Sequence, residues 1–183
     1  MAKLVSKVYG DALFDAALES GSLETVFPEV QALHSIFESR EDLAQLLNQP
    51  RISKEEKIQV MEQIFSGRIS GQLMGLLTTI VKKDRQNEIL SILEYFIQRV
   101  KEYKKIGTAY VTSAVELREE QKIRLKEKLL STTEYEEFEM YYDVDPELIG
   151  GMVIRIGDRV VDSSIRTQLY ELKKQLLAGQ VEG

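Results

Sequence analysis

Cysteine and tryptophan are missing from this 183-residue chain, and histidine occurs once, as His34. Without thiols there is neither a disulfide framework nor a thiolate metal site, which fits a reducing compartment, and one imidazole cannot build a histidine metal cluster. Long apolar runs are missing too: none approaches the roughly 20 residues of a membrane span. The first residues are not expected to act as a targeting peptide, since their amphipathic pattern carries Asp11, Asp15 and Glu19 with no arginine before Arg40. Positive charge is scarce in one part of the chain. Residues 1–106 hold 14 Lys and Arg against 15 Asp and Glu, whereas residues 107–183 hold 10 against 15, and no basic residue lies between Leu129 and Ile154. Nucleic acid and anionic lipid both need a basic footprint, so that region should repel both.

What is present is a normal apolar fraction, 43%, arranged with clear periodicity. Val5, Val8, Tyr9, Ala12, Leu13, Ala16 and Ala17 recur at helical spacing, and Gly21 suits a helix end. Ser22 can cap a second helix carrying Val30, Leu33, Ile36 and Phe37, with Pro28 expected to make an irregular first turn or a kink. Glu41 to Leu47 reads as a short helix stopped by Pro50. Ser53 with Glu56 three residues on is a capping box for a fourth helix, which ends at Gly67. A fifth starts near Ser70 and carries Leu73, Leu76, Leu77, Ile80 and Val81. A sixth runs from about Arg85 to Lys104. The spacing therefore predicts a six-helix bundle over residues 1–105.

At Gly107 the period changes from helical to two. Gly107 to Ala114 reads as a strand with Ala109 and Val111 on one side and Tyr110 and Thr112 on the other. Glu119 to Leu130 is again helical. Phe138, Met140, Tyr142 and Val144 then alternate with Glu137, Glu139, Tyr141 and Asp143, giving one apolar and one wet face. Asp145-Pro146 starts a single turn, which is ended by Gly150 and Gly151, both free to adopt positive φ and at least one expected to hold it. Met152, Ile154 and Ile156 lead into a two-residue hairpin at Gly157-Asp158, and Asp162, Ser163 and Ser164 supply oxygens to cap a last helix striped by Ile165, Leu169, Leu172 and Leu176. With one sheet face wet, both helices are expected to cover the other. The fold class expected is mainly α: the bundle, a boundary at Lys104 to Gly107, then a small two-layer α+β domain over 106–183.

Catalytic chemistry finds no foothold. Gly150, Gly151 and Gly157 precede a strand where a phosphate loop would precede a helix, and no Gly-Lys-Ser/Thr occurs. Pairs such as Glu119-Glu120 and Glu136-Glu137 are ordinary on solvated faces in a chain with 30 acids. His34 has no serine nucleophile motif with it. No cofactor or metal is called for. One surplus remains: the first and fifth helices carry wide apolar faces, which either complete the core, as periodicity alone favours, or leave a groove for a partner helix.

The segment VDPELIGGMVIRIGDRVVDSSIR, preceded by GTAYVTSAVEL and REEQ, resembles the delta subunit of bacterial F-type ATP synthases, relatives of the mitochondrial oligomycin-sensitivity-conferring protein. VYGDALFDAAL resembles that family's first helix and VKKDRQNEIL the turn between its fifth and sixth, so the likeness runs the whole length. The chain departs from the family's usual pattern at Gly10, Arg118 and Ser163. The resemblance implies a non-catalytic stator subunit linking the catalytic head to the membrane sector, resisting rotor torque and coupling ion transport to ATP synthesis. It implies that the N-terminal domain binds the N-terminal helix of an alpha subunit through Tyr9, Ala12 and Leu13 of the first helix and Leu76, Thr79 and Ile80 of the fifth. The C-terminal domain would meet the b subunits of the peripheral stalk. The protein would be a monomer alone, one copy per complex, and peripheral on the cytoplasmic face of the cell membrane without inserting into lipid. An unrelated helix-binding adaptor would explain the N-terminal faces equally well but not the C-terminal segment.

Overall fold

The computed structural model describes residues 2–179 and divides the chain into two units, one ending at Tyr103 and one beginning at Lys104. Among the described residues the chain is mainly helical, with eight α-helices and one four-stranded sheet.

The first unit holds α1 (Ala2–Glu19), α2 (Leu23–Ser39), α3 (Glu41–Asn48), α4 (Lys54–Phe65), α5 (Gly71–Lys82) and α6 (Ile89–Tyr103). Their apolar stripes meet in one core that includes Leu13, Val30, Leu77, Ile80 and Phe96. Local signals set most helix ends. At α4 the capping box forms in full: Glu56 N–H donates to Ser53 Oγ at 3.2 Å and Ser53 N–H donates to Glu56 Oε2 at 2.9 Å. That acceptor role holds the Glu56 carboxyl below its usual pKa, the Ser53 N–H contributing most. Two expectations differ from what forms. The Ser22 hydroxyl does not cap α2, because it reaches α5 instead. The sixth helix begins at Ile89 and not near Arg85, since Gln86–Glu88 first make a 3-10 turn. Pro28 lies inside α2, which runs unbroken from Leu23 to Ser39.

The second unit is built on β1 (Ile106–Ser113), α7 (Glu119–Thr132), β2 (Glu137–Val144), β3 (Met152–Ile156), β4 (Arg159–Asp162) and α8 (Ile165–Gly179), in sheet order β2-β1-β3-β4. β1 and β2 are parallel, as a strand–helix–strand connection requires, with Tyr110 opposite Tyr141. β3 runs antiparallel to β1, with Tyr110 opposite Arg155, and pairs with β4 across the Gly157-Asp158 turn. On β1 the two faces divide as the alternation predicts, whereas on β2 only Phe138 of the apolar set is buried and Tyr142 and Val144 stay exposed. Ala109, Val111 and Phe138 are buried, and Lys122 of α7 lies 5.2 Å above the Tyr142 ring, so α7 covers that face. α8 adds little to this cover. Its residues Ile165, Leu169 and Leu172 stay about half exposed, which corrects the expected covering by both helices. Leu176 lies outside the described side chains. Arg118 precedes α7 without a side-chain acceptor, so only the return arm of a box forms, with Arg118 N–H donating to Gln121 Oε1 at 2.9 Å.

Candidate functional site

Two places gather the residues singled out by the sequence, one in each unit. The first is the side of α1 that adjoins α5. α1 is held from its other side by α6: the Tyr95 ring lies where a side chain at Gly10 would be, since a Cβ there would come within 2.4 Å of Tyr95 Cδ1. Glycine thus lets the ring cross the helix, and Tyr95 Oη donates to Asp11 Oδ1 at 3.1 Å. Burial first, then that bond to a carboxylate, pushes the Tyr95 hydroxyl above its usual pKa. Farther along, Phe14 meets Tyr103 edge to face with centroids 5.5 Å apart, and the Arg99 guanidinium lies 5.2 Å from the Phe14 ring.

α5 is fixed at its N-terminus by a polar clasp. Ser22 Oγ donates to Gln72 Oε1 and Gln72 Nε2 donates to Ser20 Oγ, both at 2.9 Å, while the two serine hydroxyls lie 2.8 Å apart. Glu29 Oε2 accepts the Ser70 N–H at 2.8 Å. The turn after α1 is thereby pinned to the start of α5, so the two helices pack with opposed directions and little freedom to slide.

Of the six residues expected to hold a partner helix, Tyr9 and Leu76 are half-buried, and Ala12 and Thr79 are exposed. Leu13 and Ile80 are not available. Both are core residues packed beneath the surface, so at these two positions the wide faces complete the core. The Thr79 hydroxyl donates to Gly75 O at 2.8 Å, which satisfies it. The structure adds Leu4 and Val8, whose exposures are 67% and 58%. With Ala12 they stand four residues apart, a stripe that the spacing alone could have shown as separate from the core stripe.

The second place is the turn between β2 and β3. Asp145 Oδ1 accepts the Glu147 N–H at 2.9 Å, Pro146–Leu148 make one 3-10 turn, and Leu148 is buried. Positive φ then falls on Gly151 (76°), as expected of at least one of the two glycines, and also on Ile149 (67°), but not on Gly150. Gly151 is needed twice over, because a Cβ there would also lie 2.3 Å from the Ser163 carbonyl oxygen. At Gly150 a Cβ would meet the end of the Ile165 side chain at 2.6 Å. Gly157 has φ 55° at the first central position of the hairpin and Asp158 does not, as in a II′ turn. Asp162 Oδ1 accepts the Ser164 N–H at 2.8 Å, its Oδ2 accepts the Thr167 hydroxyl at 2.7 Å, and Ser164 Oγ accepts the Thr167 N–H at 3.2 Å, so two of the three expected oxygens cap α8. The third, Ser163 Oγ, donates to Met152 O at 2.9 Å and ties the cap to β3.

Neither place is arranged for chemistry. The first offers apolar surface beside a rigid pair of helices, and the second offers a fixed backbone. Among the described residues no cluster of three or more His, Cys, Asp or Glu is placed to hold a metal ion, and no helix is long and apolar enough to cross a membrane.

Comparison with known proteins supplies the context. Residues 5–176 match the family described as ATP synthase delta (OSCP) subunit. A protein named ATP synthase subunit delta from Lachnoclostridium phytofermentans is 51% identical over 181 residues, 99% of this chain and 100% of that one. Another of that name, from Desulforudis audaxviator, is 33% identical over 172 residues, 94% of each chain. Among solved structures, a chain of the Toxoplasma gondii mitochondrial ATP synthase hexamer shares the fold, with a TM-score of 0.71 at 19% identity over 94% of this chain and 97% of that chain.

Proposed function

The chain belongs to the ATP synthase delta (OSCP) subunit family and is a non-catalytic, peripheral-stalk component of F-type ATP synthase; from that premise we propose how its two units divide the work. The first unit acts as a six-helix bundle that grips the catalytic head, taking the N-terminal helix of an alpha subunit along α1 and α5. The second unit meets the ends of the stalk b subunits. One copy serves each complex, at the cytoplasmic face of the membrane, and the free protein is a monomer. Held between head and stalk, such a subunit keeps the head from turning with the rotor.

The observation that carries the head-binding half is the surface beside α5. Tyr9 and Leu76 are half-buried and packed against the core that holds Leu13 and Ile80, and the exposed Ala12 and Val8 extend the apolar area outward. Such surface costs about 25 cal/mol per Å² while wet, and an amphipathic helix removes that cost. Small side chains at Ala12 and Thr79 allow close approach, and the aromatic Tyr9 is the expected anchor. The clasp at Ser20, Ser22 and Gln72 means that little ordering remains to be done on binding.

Titration calorimetry with a peptide of the alpha-subunit N-terminus tests this. Tyr9→Ala is expected to weaken binding by ~2 kcal/mol or more, with unfolding stability little changed. Ala12→Asp, at an exposed position, is expected to act in the same direction. Parent-like affinity in both variants would place the head-binding surface elsewhere.

A further inference from the structure

The sheet face not covered by α7 is more than a solvated surface. Tyr110 on the central strand β1 stands between Tyr141 on β2 and Arg155 on β3, and Arg155 in turn pairs with Val160 on β4. One row thus crosses all four strands. The two tyrosine rings stack with centroids 5.1 Å apart and planes 19° from parallel, and the Arg155 guanidinium lies 4.8 Å from the Tyr110 ring on its other side. Yet Tyr110 is 45% exposed and Tyr141 is 50% exposed. A shallow hollow of about 350 Å³ lies over this row. In the neighbouring rows Thr112 stands between Asp143 and Val153, and Thr108 faces Glu139. The ladder is ordered before anything binds, because stacking and the guanidinium fix the rings. Aromatic rings of this kind present large contact area at small entropic cost.

Charge says what kind of partner fits. Glu137, Glu139 and Asp143 line the β2 side of this face, whereas Arg155 is the one cation that the strands place on it and already faces Tyr110. A phosphate-rich partner would be repelled. A segment bearing lysine or arginine would find three carboxylates and the outer side of the Tyr141 ring, with Val153 and Val160 to receive its apolar side chains. Resting on the reading that the second unit meets the b subunits, we propose that this face is where it does so, by docking an amphipathic b helix that turns at least one basic side chain toward Tyr141 and the β2 carboxylates.

The test titrates the soluble part of the b subunits of the same synthase against the full chain, at low and at raised sodium chloride. Binding by the parent is expected to weaken with salt. Tyr110→Ala with Tyr141→Ala, and separately Glu139→Lys with Asp143→Lys, are each expected to weaken it about tenfold or more. The charge-reversed pair lies on an edge strand, so it keeps the test usable if the tyrosine pair fails to fold. Leu169→Asp with Leu172→Asp, on the exposed stripe of α8, is expected to bind like the parent. Parent binding that survives both sheet-face changes but is lost with the α8 pair would overturn this face and leave the underlying reading standing. A parent chain that does not bind the b segment at all would overturn that reading itself.

Discussion

Ile149 is the residue whose conformation departs furthest from its type. It is β-branched, exposed, and held at φ 67° and ψ −38°, a region that side chains with a branched Cβ rarely enter. Such a placement stores roughly 1–3 kcal/mol, offset by what surrounds it. Here Leu148 is buried on one side and Gly151 closes against the Ser163 carbonyl on the other, so the chain between them has little choice. Ile149→Gly is therefore expected to raise stability by about 1 kcal/mol in urea unfolding, the relief of strain exceeding the added flexibility of the unfolded chain. Gly151→Ala is expected to lower it by ~1–3 kcal/mol, and Gly150→Ala by less, because the Ile165 side chain can move and a carbonyl cannot. Equal losses at the two glycines would show the turn to be assigned wrongly. The paired glycines reveal this turn in the sequence but mislead about one of its left-handed positions. Adjacent glycines advertise freedom, whereas which neighbour is forced into an unusual φ depends on contacts with residues more than ten positions away.

At the scale of elements, caps were legible and partners were not. Ser53 with Glu56, and Asp145 before Pro146, declare helix starts within four residues, so short-range pattern suffices. Ser22 has the same chemistry, but its hydroxyl is taken by Gln72, fifty residues away. The start of α8 shows what a working cap does to acid stability. The Ser164 hydroxyl, the Ser164 N–H and the Thr167 hydroxyl together hold the Asp162 carboxyl below its ordinary value of 3.8. A carboxylate with a depressed folded-state pKa stabilises the fold above its unfolded value and loses that effect as pH falls through the lower folded one. Asp162→Asn is thus expected to melt lower than the parent at neutral pH, with the gap narrowing as pH falls below 3.8. A gap independent of pH would mean that Asp162 contributes through shape alone. The helical stripes raise a different difficulty. Leu13 and Ile80 share their periodic rows with Tyr9 and Leu76, and period 3.6 cannot tell the middle of an apolar face, which is core, from its margin, which a partner can reach. On α8 the same ambiguity ran the other way, for Leu169 and Leu172 repeat like core residues and remain half exposed.

For the whole molecule, the change of period at Gly107 marks two units with separate apolar sets, and residues 1–104 expressed alone are expected to unfold in one cooperative, strongly helical transition. A fragment that binds hydrophobic dye and lacks near-ultraviolet dichroism would count against that boundary. Only Lys104 and Lys105 separate the last turn of α6 from the first residue of β1. That short connection has a mechanical consequence. α1, through Gly10 and Phe14, is locked to α6, so a pull applied to α1 passes into α6 and along the backbone into β1. β1 is a central strand, bonded to β2 on one side and β3 on the other, and its rungs lie across the strand's own axis. A pull along that axis loads them in shear, all at once, so none can peel away ahead of the rest. An edge strand such as β4 in the same place would meet the same pull with rungs on one side only. The strand order thus sets the protein's resistance to sustained force as well as its fold.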